Sequence, residues 1–246
     1  MSSALNLGNI VLPGDFPNMS QFTIPVTAGL LFMGLFGESA KRSPLNLAGS
    51  GIKAAVIGAP VFDGVKGRFD GSNYLDLGNI ETSDMTLMVV TKNPDWETTQ
   101  SGVIGSYSSA APGDGGVNIF ERATTATTGQ LSGLVYRPPS GAGSSMDLAV
   151  TNSSFTLMAL RTAGSPNGRG YLQNLTAGTA SEQVSAVART ANANNKFMVG
   201  RLNSSTFVGR CEIVAALAYN RSVSNAELAA LAAWIRTYAA SKGVTV

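Results

Sequence analysis

The tetrapeptide Ser224-Asn225-Ala226-Glu227 marks an abrupt change of hydrophobic period in this 246-residue chain. A serine at an N-cap accepts the amide proton of the third helical residue, and a glutamate at that position reaches back to the cap amide. Behind this pair Leu228, Leu231, Ile235 and Tyr238 recur at helical spacing among strong helix formers. Lys242-Gly243 then supplies a stop, with a cation near the negative end of the dipole and a residue free to turn left-handed. The spacing predicts a helix over 225–241. Its apolar stripe must be buried against something, and everything before it consists of short apolar runs at intervals of roughly 10–15 residues. With 28 glycines and abundant Ser and Thr between those runs, the expected fold is an all-β sandwich of two antiparallel sheets closed by one amphipathic helix.

The runs are legible one by one. Gly29–Gly37 is nearly continuous in apolar character, as a strand covered on both faces should be. Lys53–Ile57, Gly67–Asp70 and Asn73–Leu77 follow, with Asp70-Gly71 as a tight turn. Asp84–Lys92 is the strongest strand, stopped by Asn93-Pro94. Gly102–Tyr107, Gly116–Arg122, Gln130–Arg137, Met146–Thr151, Ser154–Arg161, Gly168–Leu175, Lys196–Arg201 and Phe207–Tyr219 complete the series. Alternation in the last places Cys211 among packed side chains, as a small buried hydrophobe; Trp234 is expected in the core beneath the helix.

Residues 1–26 read differently. Pro13, Pro17 and Pro25 break regular structure, yet Leu5, Leu7, Ile10, Val11, Leu12, Phe16, Phe22 and Ile24 are too many apolar groups for a solvated tail. An extended apolar arm is expected, packed either along its own domain or onto a neighbouring subunit. The domain proper then spans 27–246.

Composition removes several classes of function. The chain has no histidine, which excludes Ser-His catalysis, imidazole metal sites and unassisted proton shuttling near neutrality. A single cysteine excludes an internal disulfide and a multi-cysteine zinc site. The 17 basic residues are scattered among 15 acidic ones, so nucleic acid is not an expected partner. Met1 to Asn9 carries no positive charge, and no apolar run approaches the roughly 20 residues of a membrane helix, so synthesis in a cytoplasm without membrane insertion is expected.

The run AGLLFMGLFGESAKRSPLNLAGSG, followed by GRFDGSNYLDLG and SDMTLMVVTK, resembles the opening of laminin-G-like, concanavalin A-like jelly rolls. GRCEIVAALAYNRSVSNAELAALAAWI is similar to the family's last strand, its Tyr-Asn-Arg turn and its closing helix. Tyr219-Asn220-Arg221, Ser224 and Glu227 match, while Val223 stands where leucine is usual. The resemblance covers about Thr27–Lys242 and implies a two-sheet jelly roll. It implies a fold rather than a function, since relatives include glycoside hydrolases, lectins, peptide-binding modules and structural virion proteins.

Glycosidases of this fold need paired carboxylates, and no Glu-x-Asp-x-(x)-Glu occurs; Asp95 and Glu97 share the spacing but follow Pro94 in a loop. No enzymatic activity is expected. Calcium-binding relatives suggest the loop Ser108–Gly116, but Asp114 is its only acid, and Asp147 with Asn152 is equally thin, so no cofactor is expected. Sugar sites on such folds combine aromatic platforms with polar groups at loop tips, which makes Trp96, Tyr107, Asp114, Tyr136 and Arg137 the candidate ligand-binding residues. The apolar arm, the low charge and the absence of a disulfide together resemble phage virion proteins. The expectation is a virion component made in the host cytoplasm and docked to other virion proteins through residues 1–26. It would be a homo-oligomer and tail-associated, either attaching to a host surface glycan or serving as a structural module. A capsid-decorating protein and a free lectin-like protein are the alternatives.

Overall fold

The computed structural model describes residues 23–94, 100–108, 115–125, 128–137, 142–151, 154–192 and 194–246. Residues 1–22, most of the expected arm, lie outside the described residues. In chain order the strands are β1 (Leu30–Leu35), β2 (Ala55–Ile57), β3 (Val61–Phe62), β4 (Gly67–Phe69), β5 (Tyr74–Asp76), β6 (Met85–Lys92), β7 (Ser101–Gly105) and β8 (Gly116–Ala123). They continue as β9 (Thr128–Arg137), β10 (Ala142–Thr151), β11 (Thr156–Ala163), β12 (Arg169–Asn174), β13 (Thr179–Val184), β14 (Met198–Val199) and β15 (Cys211–Tyr219), and the chain closes with α1 (Asn225–Ser241). One sheet runs β13-β12-β11-β6-β15-β4-β3, with β1 also paired to β15, and the other runs β10-β9-β8-β7-β14-β5-β2. The result is a two-sheet antiparallel jelly-roll sandwich with one helix on the outside of the first sheet.

The two faces of the first sheet explain its composition. On β6, Met85, Leu87 and Val89 point into the layer between the sheets, while Met88 and Val90 point toward the helix. A strand buried on both sides has no wet face, which is why this segment lacks alternation. On β15 the register shifts between Ile213 and Ala215. Before the shift Cys211 and Ile213 face the inter-sheet layer, and after it Ala216 and Ala218 do. The adjacent Val214 and Ala215 therefore both face the helix, as a one-residue bulge requires.

α1 buries Leu228, Leu231, Ala232, Ile235, Tyr238 and Ala239 against that face. Each large side chain so removed from water stabilises the docking by about 1.5–3 kcal/mol before ordering costs. Trp234 is only half-buried and stacks beside Tyr238 at 6.5 Å, at the border of this cluster and not within it. The helix start is fixed as its sequence requires: Ser224 Oγ accepts the Glu227 amide at 3.2 Å and Glu227 accepts the Ser224 amide at 2.8 Å. Arg221 adds two bonds to the same carboxylate, at 2.9 and 2.6 Å, and its Nε donates to the Ala28 carbonyl. The Tyr-Asn-Arg turn thus ties the first helical turn to the residues leading into β1. These contacts, the Arg221 bond first, hold the Glu227 carboxyl down at about 2.

The described end of the arm lies on its own domain. Ile24 and Val26 are buried in the helix-side cluster, and the Tyr219 hydroxyl donates to the Val26 carbonyl at 2.9 Å. The Asp70-Gly71 turn forms as expected, with the Asp70 carboxylate accepting the Ser72 and Asn73 amides at 2.8 and 2.9 Å.

Candidate functional site

The five residues singled out from sequence fall into three groups. Trp96 and Asp114 lie outside the described residues, in the connections 95–99 and 109–114. Tyr136 and Arg137 end β9, where Tyr136 is in register with Gly116. Tyr107 follows β7, and its backbone abuts Gly116 so closely that a Cβ there would sit 2.8 Å from the Tyr107 Cα. The fold therefore brings the backbones of Tyr107 and Tyr136 to the same end of the second sheet. The Tyr107 ring, however, is half-buried and packs edge-on against Phe207 at 5.6 Å, beside Phe120 and Leu202. That contact is rim packing, which uses the ring within the domain.

Polar groups are also buried nearby. The Glu81 carboxylate meets the Arg189 guanidinium and the Ser106 hydroxyl, and accepts the Asn192 amide at 3.3 Å. Arg189 donates besides to the Thr82 and Ser83 carbonyls, each at 2.5 Å. The side chains of this pair are sealed from solvent and bonded to each other, so it is a clamp on the connections after β5 and β13. Toward the other end of the interior, Glu121 on β8 accepts the Thr91 hydroxyl of β6 at 2.9 Å, and burial pushes its carboxyl up to about 8. Among the described residues no group of three Cys, Asp or Glu side chains could hold a metal ion.

A ligand-sized concavity lies elsewhere, where the apolar outer face of the first sheet gives way to polar residues beside α1. On β12, Gly170 and Leu172 point inward, so Arg169, Tyr171 and Gln173 share the outer face. In register, Arg161 of β11 and Glu182 of β13 flank Tyr171 on its two sides. The groove over this row has a volume of about 390 Å³ and ends at Asn225, the first residue of the helix. A second hollow of about 300 Å³ shares Gln173 and Asn225 and runs on along the helix to Arg236. The two form one trough between strand and helix.

Arg161 builds its floor. The guanidinium lies 5.2 Å from the Tyr171 ring centre, and donates to the Val223 carbonyl at 3.1 Å, Asn225 Oδ1 at 2.7 Å and Gln173 Oε1 at 3.1 Å. Burial is the largest cause holding it below its ordinary value. Arg169 pairs with Glu182 at 2.5 Å across the mouth. One aromatic ring, two amides, a carboxylate and guanidinium groups around an open trough are suited to reversible recognition of a polar ligand. Sequence reasoning did not select these residues. The signal was the alternation in RGYLQN, but a polar row on a strand more commonly means a solvated face.

No protein-family profile matches the sequence, and no curated protein matches it either. Solved structures do resemble the fold. The binding domain of botulinum neurotoxin serotype G is 8% identical, with a TM-score of 0.60 over 84% of this chain and 50% of that one. The binding domain of Paraclostridial Mosquitocidal Protein 1 is 12% identical, with a TM-score of 0.60 over 85% of this chain and 52% of that one. The ligand binding domain of botulinum neurotoxin serotype D, in complex with N-acetylneuraminic acid, is 9% identical, with a TM-score of 0.59 over 88% of this chain and 52% of that one. The chain thus spans about half the length of these structures, and at such identities the likeness is one of fold.

Proposed function

We propose that this chain is a non-enzymatic carbohydrate-binding module that takes its ligand in the trough between β12 and α1. The observation that carries the reading is the outer row of β12, where Tyr171 and Gln173 lie open beside Asn225 in a groove of about 390 Å³. Amide and carboxylate groups around an aromatic ring can exchange water for sugar hydroxyls without a large ordering cost, because Arg161 already holds the amides and Arg169 the carboxylate. Solved neighbours of the same fold are named as binding domains, one of them in complex with N-acetylneuraminic acid, which supports a binding role for this architecture.

The wider setting we infer is a phage virion, with the module tail-associated and docked through its apolar N-terminal segment. Support comes from the sequence of residues 1–22, whose leucine, isoleucine and phenylalanine content suits burial against another protein. A capsid-decorating role would use the same segment, and capsid or tail genes flanking the reading frame distinguish the two.

Screening the full chain on an array of oligosaccharides tests the binding reading. Tyr171→Ala should abolish a signal that Tyr136→Ala leaves intact. The reverse pattern would move the site to the end of the second sheet, and turnover of a bound polysaccharide would refute the non-enzymatic role.

A further inference from the structure

The chemistry of the trough specifies more than a polar ligand. A side-chain amide that gives its oxygen to a guanidinium must turn its NH2 the other way. Arg161 takes the oxygens of both Gln173 and Asn225, so the orientation of both amides follows from their shared donor. Among the described residues neither NH2 group has an acceptor. The two amides therefore offer donors to whatever occupies the trough.

Charge points the same way. Arg161, Arg169 and Arg236 line the trough against one acid, Glu182, and Glu182 is paired with Arg169. Arg161 is bonded only to neutral oxygens and a ring face. Arg236 donates to the Leu175 carbonyl at 2.6 Å and to an oxygen of Val246 at 3.3 Å. Among the described residues the Arg161 guanidinium has no counter-ion in contact with it. An uncompensated cation at a concave surface, where the low-dielectric wall focuses its field, favours an anion over a neutral solute.

We propose that the trough is selective for acidic saccharides, a carboxylate neutralised by Arg161 and hydroxyl oxygens received by the amides of Gln173 and Asn225. Neutral sugars of the same shape bind weakly there, since they leave the Arg161 charge unanswered. This selectivity rests on the carbohydrate-binding reading of the same site.

The test titrates the full chain with tetragalacturonic acid and with its methyl ester, which differ in charge and little in shape, alongside a mixed array of acidic and neutral oligosaccharides. The acid should bind at least tenfold more tightly than the ester, and its affinity should fall severalfold between 50 and 300 mM salt as screening grows. Arg161→Gln should cut the acid's advantage over the ester to less than threefold, with its melting temperature measured alongside because Arg161 also joins strand to helix. Equal binding of acid and ester, both lost in Tyr171→Ala, would overturn the acidic selectivity while leaving the carbohydrate reading standing. Selective binding of neutral sugars on the array would do likewise. Silence toward every saccharide would overturn both.

Discussion

Glu121 and Thr91 meet across the interior of the sandwich, the carboxyl of one sheet accepting the hydroxyl of the other at 2.9 Å. The second carboxyl oxygen is buried without a partner among the described residues. Burial is the cause of its pKa of about 8, against an ordinary value of 4.5.

A carboxyl raised on folding gives stability that is fully present below about 4.5 and lost as pH rises through about 8. At 1.36 kcal/mol per unit the loss is at most about 5 kcal/mol. Glu121→Gln keeps a partner for Thr91 and removes the charge. It should flatten this slope and stabilise the protein at pH 9. Urea unfolding at pH 5, 7 and 9 checks it, and an unchanged slope in the variant would show that Glu121 does not carry the effect.

The clamp between Glu81 and Arg189 should behave differently. Removing one partner leaves a buried charge alone, so Glu81→Gln or Arg189→Met should each cost about 3–5 kcal/mol. The double variant should cost less than the two singles added together. Additive losses in denaturant titrations would mean that the two side chains act independently.

At the helix, Ser224→Ala should cost about 1 kcal/mol through the lost cap, and Ile235→Ala about 2–5 kcal/mol through the cavity it leaves. Glu227 adds a slope opposite to that of Glu121. Its depressed carboxyl gives stability present above about 4.5 and lost as pH falls toward 2. Glu227→Gln should therefore reduce acid sensitivity below pH 4, as read by helical circular dichroism.

Cys211 is buried at 1% exposure, and desolvation first, then the nearby Glu121, pushes its thiol well above the ordinary range. A thiol reagent such as DTNB should leave the native protein unmodified and label one site per chain in denaturant. Native labelling at the rate of a free thiol would show that the start of β15 opens.

The parts of the fold that the sequence declares are those where one force dominates. The helix over 225–241 forms with the expected bounds because its cap, stripe and stop agree. β6 and β15 declare themselves through unbroken burial. β13 (Thr179–Val184) gives no sign of itself, because an edge strand exposed along most of its length needs no apolar face and is held by its pairing with β12. β3 (Val61–Phe62) is too short to show a period. The trough was hidden for a related reason. Arg161, the Tyr171 and Gln173 pair, and Asn225 belong to three different elements and each looks like an ordinary surface residue; only strand register and the seat of the helix bring them together.

The position of β15 has a consequence for how the molecule is made. It pairs with β6 on one side and with β1 and β4 on the other, so the middle of the first sheet is filled by the last strand of the domain to be synthesised. Until Tyr219 emerges, β1, β4 and β6 present unpaired edges and uncovered apolar side chains, and the nascent chain is a substrate for chaperones and proteases. A product stopped before Cys211 is therefore not a smaller sandwich but an open one. The cell receives either the finished domain or something it must remove.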